Sequence, residues 1–291
     1  MKDAPIHNIG AVNYLNSKPL IEDLELLAPD AELVLDVPSR LADLLAEGRL
    51  DVALIPVIEY FRAGTYTIVP NIAIASQGPV LSVTLFSRVP WTQIRRIALD
   101  EGSRTSAALA QILLRKRYGI EPIIMPLPLT PVTSGSPLPP AGGEGPGVRG
   151  ESFEHLDADA VLLIGDRAMR ACLPGFAHAF DLGQEWHDWS GLPFVYAFWA
   201  VREGVDLGPV ADALAEAKRR GLAAIGPIAA REAPLLDLDA GFCRRYLANI
   251  IRFDFGAREE AGLRRYYDLA CEMGLARRGV EVEMYGSPVS V

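Results

Sequence analysis

Short apolar runs alternate with amphipathic stretches along most of the chain. Residues 9–12, 33–37, 52–55, 81–85, 97–99 and 161–164 are mostly Val, Ile, Leu and Ala, the pattern of strands buried on both faces. Between them the spacing predicts helices. In 38–47, Leu41, Leu44 and Leu45 form one stripe, Pro38-Ser39 opens the segment and Gly48 ends it. A second helix is predicted over 105–116, with Leu109, Ile112 and Leu113 on one face. Strands alternating with helices point to an α/β body with mostly parallel sheets. The last third differs: 209–220, 239–251 and 257–273 are three successive helical patterns with little strand between them. A helical C-terminal layer packed on the α/β body is expected.

Eleven of the 21 residues from 130 to 150 are Pro or Gly, a composition that cannot bury enough surface to offset its ordering entropy. The segment reads as a disordered surface insertion between strands near Ile123 and Val161. Its glycines lack the leading strand and following helix of a nucleotide-binding loop.

Composition narrows the function classes. With 291 residues, half of them hydrophobic and 22% charged, the chain can build sizeable cores, which excludes a disordered protein. A net charge of −9 speaks against nucleic-acid binding but leaves room for a local site for an anionic small molecule. Cys172, Cys243 and Cys271 suggest neither a disulfide framework nor a zinc site, and no metal is expected. No apolar leader or membrane-length run appears, so a cytoplasmic protein without membrane contact is expected. G-x-S-x-G, H-E-x-x-H and P-loop motifs are missing, and the four histidines suit turns or surface better than metal binding.

Four segments combine strand ends with small polar residues. In Asn13-Tyr14-Leu15-Asn16-Ser17-Lys18-Pro19-Leu20 a strand gives way to a helix, and its amides and hydroxyl could face a ligand or merely cap the helix. In Asp51-Val52-Ala53-Leu54-Ile55-Pro56-Val57-Ile58-Glu59-Tyr60, Pro56 ends a buried strand near a cleft. Glu59 there suits an acid–base role or, more commonly, the helix dipole. In Gly78-Pro79-Val80-Leu81-Ser82-Val83-Thr84, Ser82 shares a strand face with Val80 and Thr84, and its hydroxyl needs a ligand or a backbone carbonyl as partner. In Asp100-Glu101-Gly102-Ser103-Arg104-Thr105-Ser106, three hydroxyls and a guanidinium gather where a strand turns into a helix. Free N–H groups and the dipole make that terminus a carboxylate or phosphate site. Plain capping beside a solvated arginine accounts for one of those hydroxyls and leaves the cluster unexplained.

These segments, with Ala160-Val161-Leu162-Leu163-Ile164-Gly165-Asp166-Arg167-Ala168, Asp181-Leu182-Gly183-Gln184-Glu185-Trp186 and Trp189-Ser190-Gly191-Leu192-Pro193-Phe194-Val195, resemble the chorismate dehydratases of the futalosine route to menaquinone. Ser190 departs from the threonine more usual there. The resemblance covers about 1–128 and 153–205 and fits the helical tail more loosely.

It implies a two-lobed, type II periplasmic-binding-protein-like fold with a ligand cleft between the lobes. Lobe one would comprise 1–88 and 195–291, and lobe two 89–194 including the 130–150 insertion. It further implies a cofactor-independent hydro-lyase whose small-molecule substrate is chorismate. Asn16 and Ser82 are then the expected catalytic residues. Tyr14, Pro56, Arg104, Thr105, Ser106, Gly165 and Asp166 are expected against the substrate. Two alternatives share the fold: a solute-binding protein for a small carboxylate, and the sister enzyme that cleaves a futalosine-derived nucleoside. A ligand-sensing regulator would need a DNA-binding helix pair, and neither chain end suggests one.

Overall fold

A computed structural model describes residues 7–100, 102–127, 153 and 156–287. The predicted insertion at 130–150 therefore lies outside the described residues, as does His155.

Two sheets organise the chain. The first has the order β11-β4-β10-β3-β1-β2. It is built from β1 (His7–Val12), β2 (Ala31–Asp36), β3 (Val52–Pro56), β4 (Thr67–Ser76), β10 (Phe194–Val201) and β11 (Ile251–Arg252). The second has the order β7-β6-β8-β5-β9. Its strands are β5 (Val83–Ser87), β6 (Arg96–Asp100), β7 (Ile123–Leu127), β8 (Ala160–Ile164) and β9 (His178–Asp181). The chain passes from the first sheet to the second between β4 and β5, and returns between β9 and β10.

On the first sheet's side lie α1 (Leu24–Leu27), α2 (Pro38–Ala46) and α3 (Val57–Ala63). The second sheet carries α4 (Arg104–Ile112), α5 (Gly165–Arg170) and α6 (Leu182–Ser190). The C-terminal layer comprises α7 (Pro209–Ala223), α8 (Ile225–Glu232), α9 (Ala240–Arg245) and α10 (Ala257–Glu272). A π turn, Tyr246–Ile250, continues α9. Among the described residues no helix is long and apolar enough to cross a membrane.

Central strands such as β3 are buried along their whole length, so each large side chain contributes roughly 1.5–3 kcal/mol by leaving water. That holds β1, β3 and β8 rigid behind the loops at their carboxyl ends. α2 begins at Pro38, whose missing N–H costs nothing in a first turn, and buries Leu41, Leu44 and Leu45 as the stripe predicts.

Several expectations fail for identifiable reasons. The sheets are mixed rather than mostly parallel. β1 pairs in parallel with β2 and β3, and β6 with β7 and β8. The antiparallel pairs all involve β4, β5 or β10, the strands beside the two crossings. β2 is an edge strand with Leu35 exposed, so it is not buried on both faces. β4 escapes the pattern because Pro70-Asn71 breaks its apolar run, with Asn71 at φ 60° and the β10 register slipping there. The strand predicted from Leu81 begins only at Val83. Leu81 is itself left-handed, at φ 63°, a rare state for a large side chain. Asp181 holds it there, accepting from Leu81 N at 2.7 Å and from Val80 N at 3.0 Å.

Candidate active site between the sheets

A cavity lies where the carboxyl ends of β1, β3 and β8 meet the first crossing and the start of α4. Tyr14, Asn16, Pro56, Ser82, Ser103, Thr105, Ser106 and Gly165 line it, joined by Tyr196 from β10 and by apolar residues including Val12, Ile74 and Val80. No charged side chain belongs to that lining among the described residues. Its volume is ≈ 60 Å³, well below the roughly 150 Å³ that holds a benzene ring. A ring-sized ligand therefore requires the two walls to part.

The wall from the first sheet and the crossing is polar through side chains. Asn16 sits in a 3-10 turn, Leu15–Leu20, and its Oδ1 is buried with no hydrogen-bond partner among the described residues. Ser82 is 1% exposed. It lies in the bend before β5 rather than on a strand face, because Asp181 draws the preceding N–H groups out of ladder geometry. The Ser82 hydroxyl accepts from the Tyr246 hydroxyl at 2.8 Å. Burial, above all, raises the Tyr246 pKa.

Ser17 does not join this group. Its buried hydroxyl donates to the carbonyls of Val12 and Tyr14, tightening the turn that presents Asn16. No Asn caps that turn; the capping position is Tyr14.

The facing wall is the start of α4. Ser103 is its N-cap without a side-chain capping bond, so Ser/Thr capping does not explain the cluster. The first-turn N–H groups of a helix have no intrahelical acceptor, and Ser103, Thr105 and Ser106 at this start all line the cavity. Thr105 Oγ1 also accepts from Ile58 N at 3.2 Å, tying α4 to α3, and the Tyr266 hydroxyl donates to Thr105 O at 3.2 Å.

Arg104 corrects an expectation: it does not line the cavity. Its guanidinium makes a two-pronged contact with Asp43 at 2.8 and 3.0 Å and reaches Glu59 at 3.2 Å. The latter pairing, with Arg62 at 2.6 Å on its other side, removes Glu59 from any acid–base role in the cleft. Asp166 likewise stands behind the lining. It is 7% exposed and accepts from Leu15 N at 3.1 Å. Burial pushes its pKa up to about 6, against the opposing pull of the Leu15 N–H, Arg170 and Lys18. Gly165 is a cavity residue with no room for a side chain. At φ 62° a Cβ would meet the Tyr14 ring at 3.0 Å.

Tyr246 and Tyr196 were not picked out as site residues from the sequence. Tyr246 reads as one member of an apolar helical stripe. The only signal was chemical: a buried tyrosine hydroxyl needs a partner. Tyr196 finds Ser76 at 3.1 Å. No three His, Cys, Asp or Glu side chains converge as a metal site would require, among the described residues.

Two mixed sheets joined by two crossings, with a cavity between them, define the two-lobed periplasmic-binding-protein fold. The periplasmic aliphatic sulphonate binding protein of Escherichia coli superimposes with a TM-score of 0.58 at 17% identity, over 98% of this chain and 95% of that one. The family model described as menaquinone biosynthesis matches residues 7–135 and 151–272. The chain belongs to that family. It is also similar to the chorismate dehydratase of Thermus thermophilus, at 29% identity over 89% of this chain and 93% of the relative. The chorismate dehydratase of Campylobacter jejuni is 24% identical over 92% of this chain and 99% of its own length.

Proposed function

We propose that the chain is a chorismate dehydratase, removing water from chorismate to give 3-[(1-carboxyvinyl)oxy]benzoate. The observation that carries this reading is the convergence of Asn16, Ser82 and the Ser103–Ser106 turn on one cavity, in a chain similar to two chorismate dehydratases over most of its length.

The chemistry asks for little machinery. One C–H bond at C3 and one C–O bond at C4 break, a double bond completes a benzene ring, and one water leaves. Aromatisation makes the step strongly downhill, which suits a reaction without a cofactor. The protein's part is orientation, polarisation of the leaving hydroxyl and exclusion of competing rearrangements. Ser82 donates to the departing oxygen, and Asn16 Oδ1 accepts from the same hydroxyl before it leaves. The C3 proton passes to a carboxylate of the substrate and leaves with the hydroxide as water. That route matches a lining without a charged side chain.

Two substrate carboxylates must be held in a protein of net charge −9. The α4 terminus, with Thr105 and Ser106 and its dipole, is the site for one of them.

Purified protein incubated with chorismate, followed by ultraviolet absorbance and mass spectrometry, tests the assignment. A dehydrated benzoate product is expected. Binding without turnover would make the chain a carboxylate-binding protein, and turnover of a futalosine-derived nucleoside instead would make it the sister enzyme.

A further inference from the structure

Tyr246 stands one layer behind the cavity, 1% exposed, at the point where α9 gives way to the π turn Tyr246–Ile250. Phenylalanine would fill the same volume, so packing alone does not call for a hydroxyl. π turns inside helices frequently mark functional positions.

The hydroxyl's bonding is directional. It donates its single proton to Ser82 Oγ at 2.8 Å. Asn16, which lines the same cavity, leaves its buried Oδ1 without a partner among the described residues. Ser82 Oγ, with one lone pair occupied by the phenol, keeps its own proton for another acceptor. The direction of the Ser82 hydroxyl is thus set by one buried phenol.

We propose that Tyr246 is a positioning residue: its hydroxyl orients and polarises Ser82, so that Ser82 presents its own proton to the ligand hydroxyl that departs. The inference rests on the dehydratase reading. No bond to Tyr246 forms or breaks, and the phenol keeps its proton throughout.

Steady-state kinetics on Tyr246→Phe, Ser82→Ala and the double variant test it. Tyr246→Phe is expected to lower kcat about tenfold or more while KM stays within about twofold. In the Ser82→Ala background the same change should cost no more than about twofold, because the group it acts through is already gone. A purely structural tyrosine would lower the melting temperature and leave both kinetic comparisons flat. Should Tyr246→Phe fold poorly alone, Ser82→Ala against the double variant decides, since the double variant removes both ends of that hydrogen bond. A further fivefold or larger loss of kcat there would overturn the proposal, as would wild-type kinetics in a folded Tyr246→Phe. Wild-type protein that leaves chorismate intact overturns the dehydratase reading and this inference with it. Wild-type turnover with an unaltered Tyr246→Phe overturns the inference alone.

Discussion

On one wall of the cleft, polarity comes from side chains: Asn16, and Ser82 tied to the Tyr246 phenol. On the other it comes from the first turn of α4, where backbone N–H groups stand beside Ser103, Thr105 and Ser106. The two materials suit different tasks. A helix terminus supplies a fixed potential, and a carboxylate keeps the same charge from ground state to transition state, so that wall grips without discriminating between them. A hydroxyl that donates to a leaving oxygen binds most strongly when charge builds on that oxygen, and an amide acceptor beside it fixes the direction in which the group leaves. The first wall should therefore govern kcat and the second KM. Mutation can break that division.

The largest expected effect is on the side-chain wall. Ser82→Ala should lower kcat about 100-fold with little change in KM, by analogy with the loss of one transition-state hydrogen-bond donor. Asn16→Ala should lower kcat in the same direction, by loosening the orientation of the leaving group. Stopped assays at saturating chorismate read this directly. Equal losses in kcat for variants of either wall would erase the contrast.

A smaller effect is expected on the helix-terminus wall. Hydrogen bonds to charged groups contribute roughly 1.5–3 kcal/mol each, so Thr105→Ala with Ser106→Ala should raise KM about tenfold or more. Thr105 has a second duty, because Ile58 N donates to its hydroxyl between α3 and α4. Ser106→Ala is therefore the cleaner probe. The double variant should also melt at lower temperature, and Ser106→Ala alone should not. A double variant that binds chorismate like wild type would remove the anchor.

The two walls were not equally legible in the sequence. The α4 terminus is a local feature, a strand followed by a polar turn and a helical stripe, and local pattern suffices to place Ser103, Thr105 and Ser106. Asn16, Pro56 and Gly165 also follow from strand ends, since open α/β sheets hold ligands there. What failed depends on contacts distant in sequence. Arg104 is drawn off by Asp43 and Glu59, 61 and 45 residues away. Ser82 leaves its strand because Asp181, 100 residues on from Leu81, captures the N–H groups that would have joined the ladder. Tyr246 lies 164 residues from Ser82, and nothing in its neighbours distinguishes it from the rest of an apolar stripe. The alternation of strands and helices announced the α/β class. The antiparallel share of each sheet depends on where the chain crosses, which no local pattern reports.

Asp166 links the two walls and carries the smallest expected effect on turnover. It belongs to α5 on the second sheet, yet accepts from Leu15 N, the neighbour of Asn16. Burial raises its pKa from 3.8 to about 6, whereas Asp181 takes N–H groups from Val80, Leu81 and Gln184 that oppose the same burial. A folded-state pKa above the unfolded one means the folded protein holds the extra proton between those values. Stability from Asp166 is then complete below about pH 4 and is lost as pH rises through about 6. Asp166→Asn keeps an oxygen for Leu15 N and removes the titration. Relative to wild type, the variant should gain stability steadily from pH 4 to 7, by at most about 3 kcal/mol for a shift of two units, with kcat near the wild-type value. Urea unfolding of both proteins across that range measures the gap. Parallel stability curves would show that the carboxyl does not titrate there, and a kcat loss as large as that of Ser82→Ala would put Asp166 among the reacting groups instead of behind them.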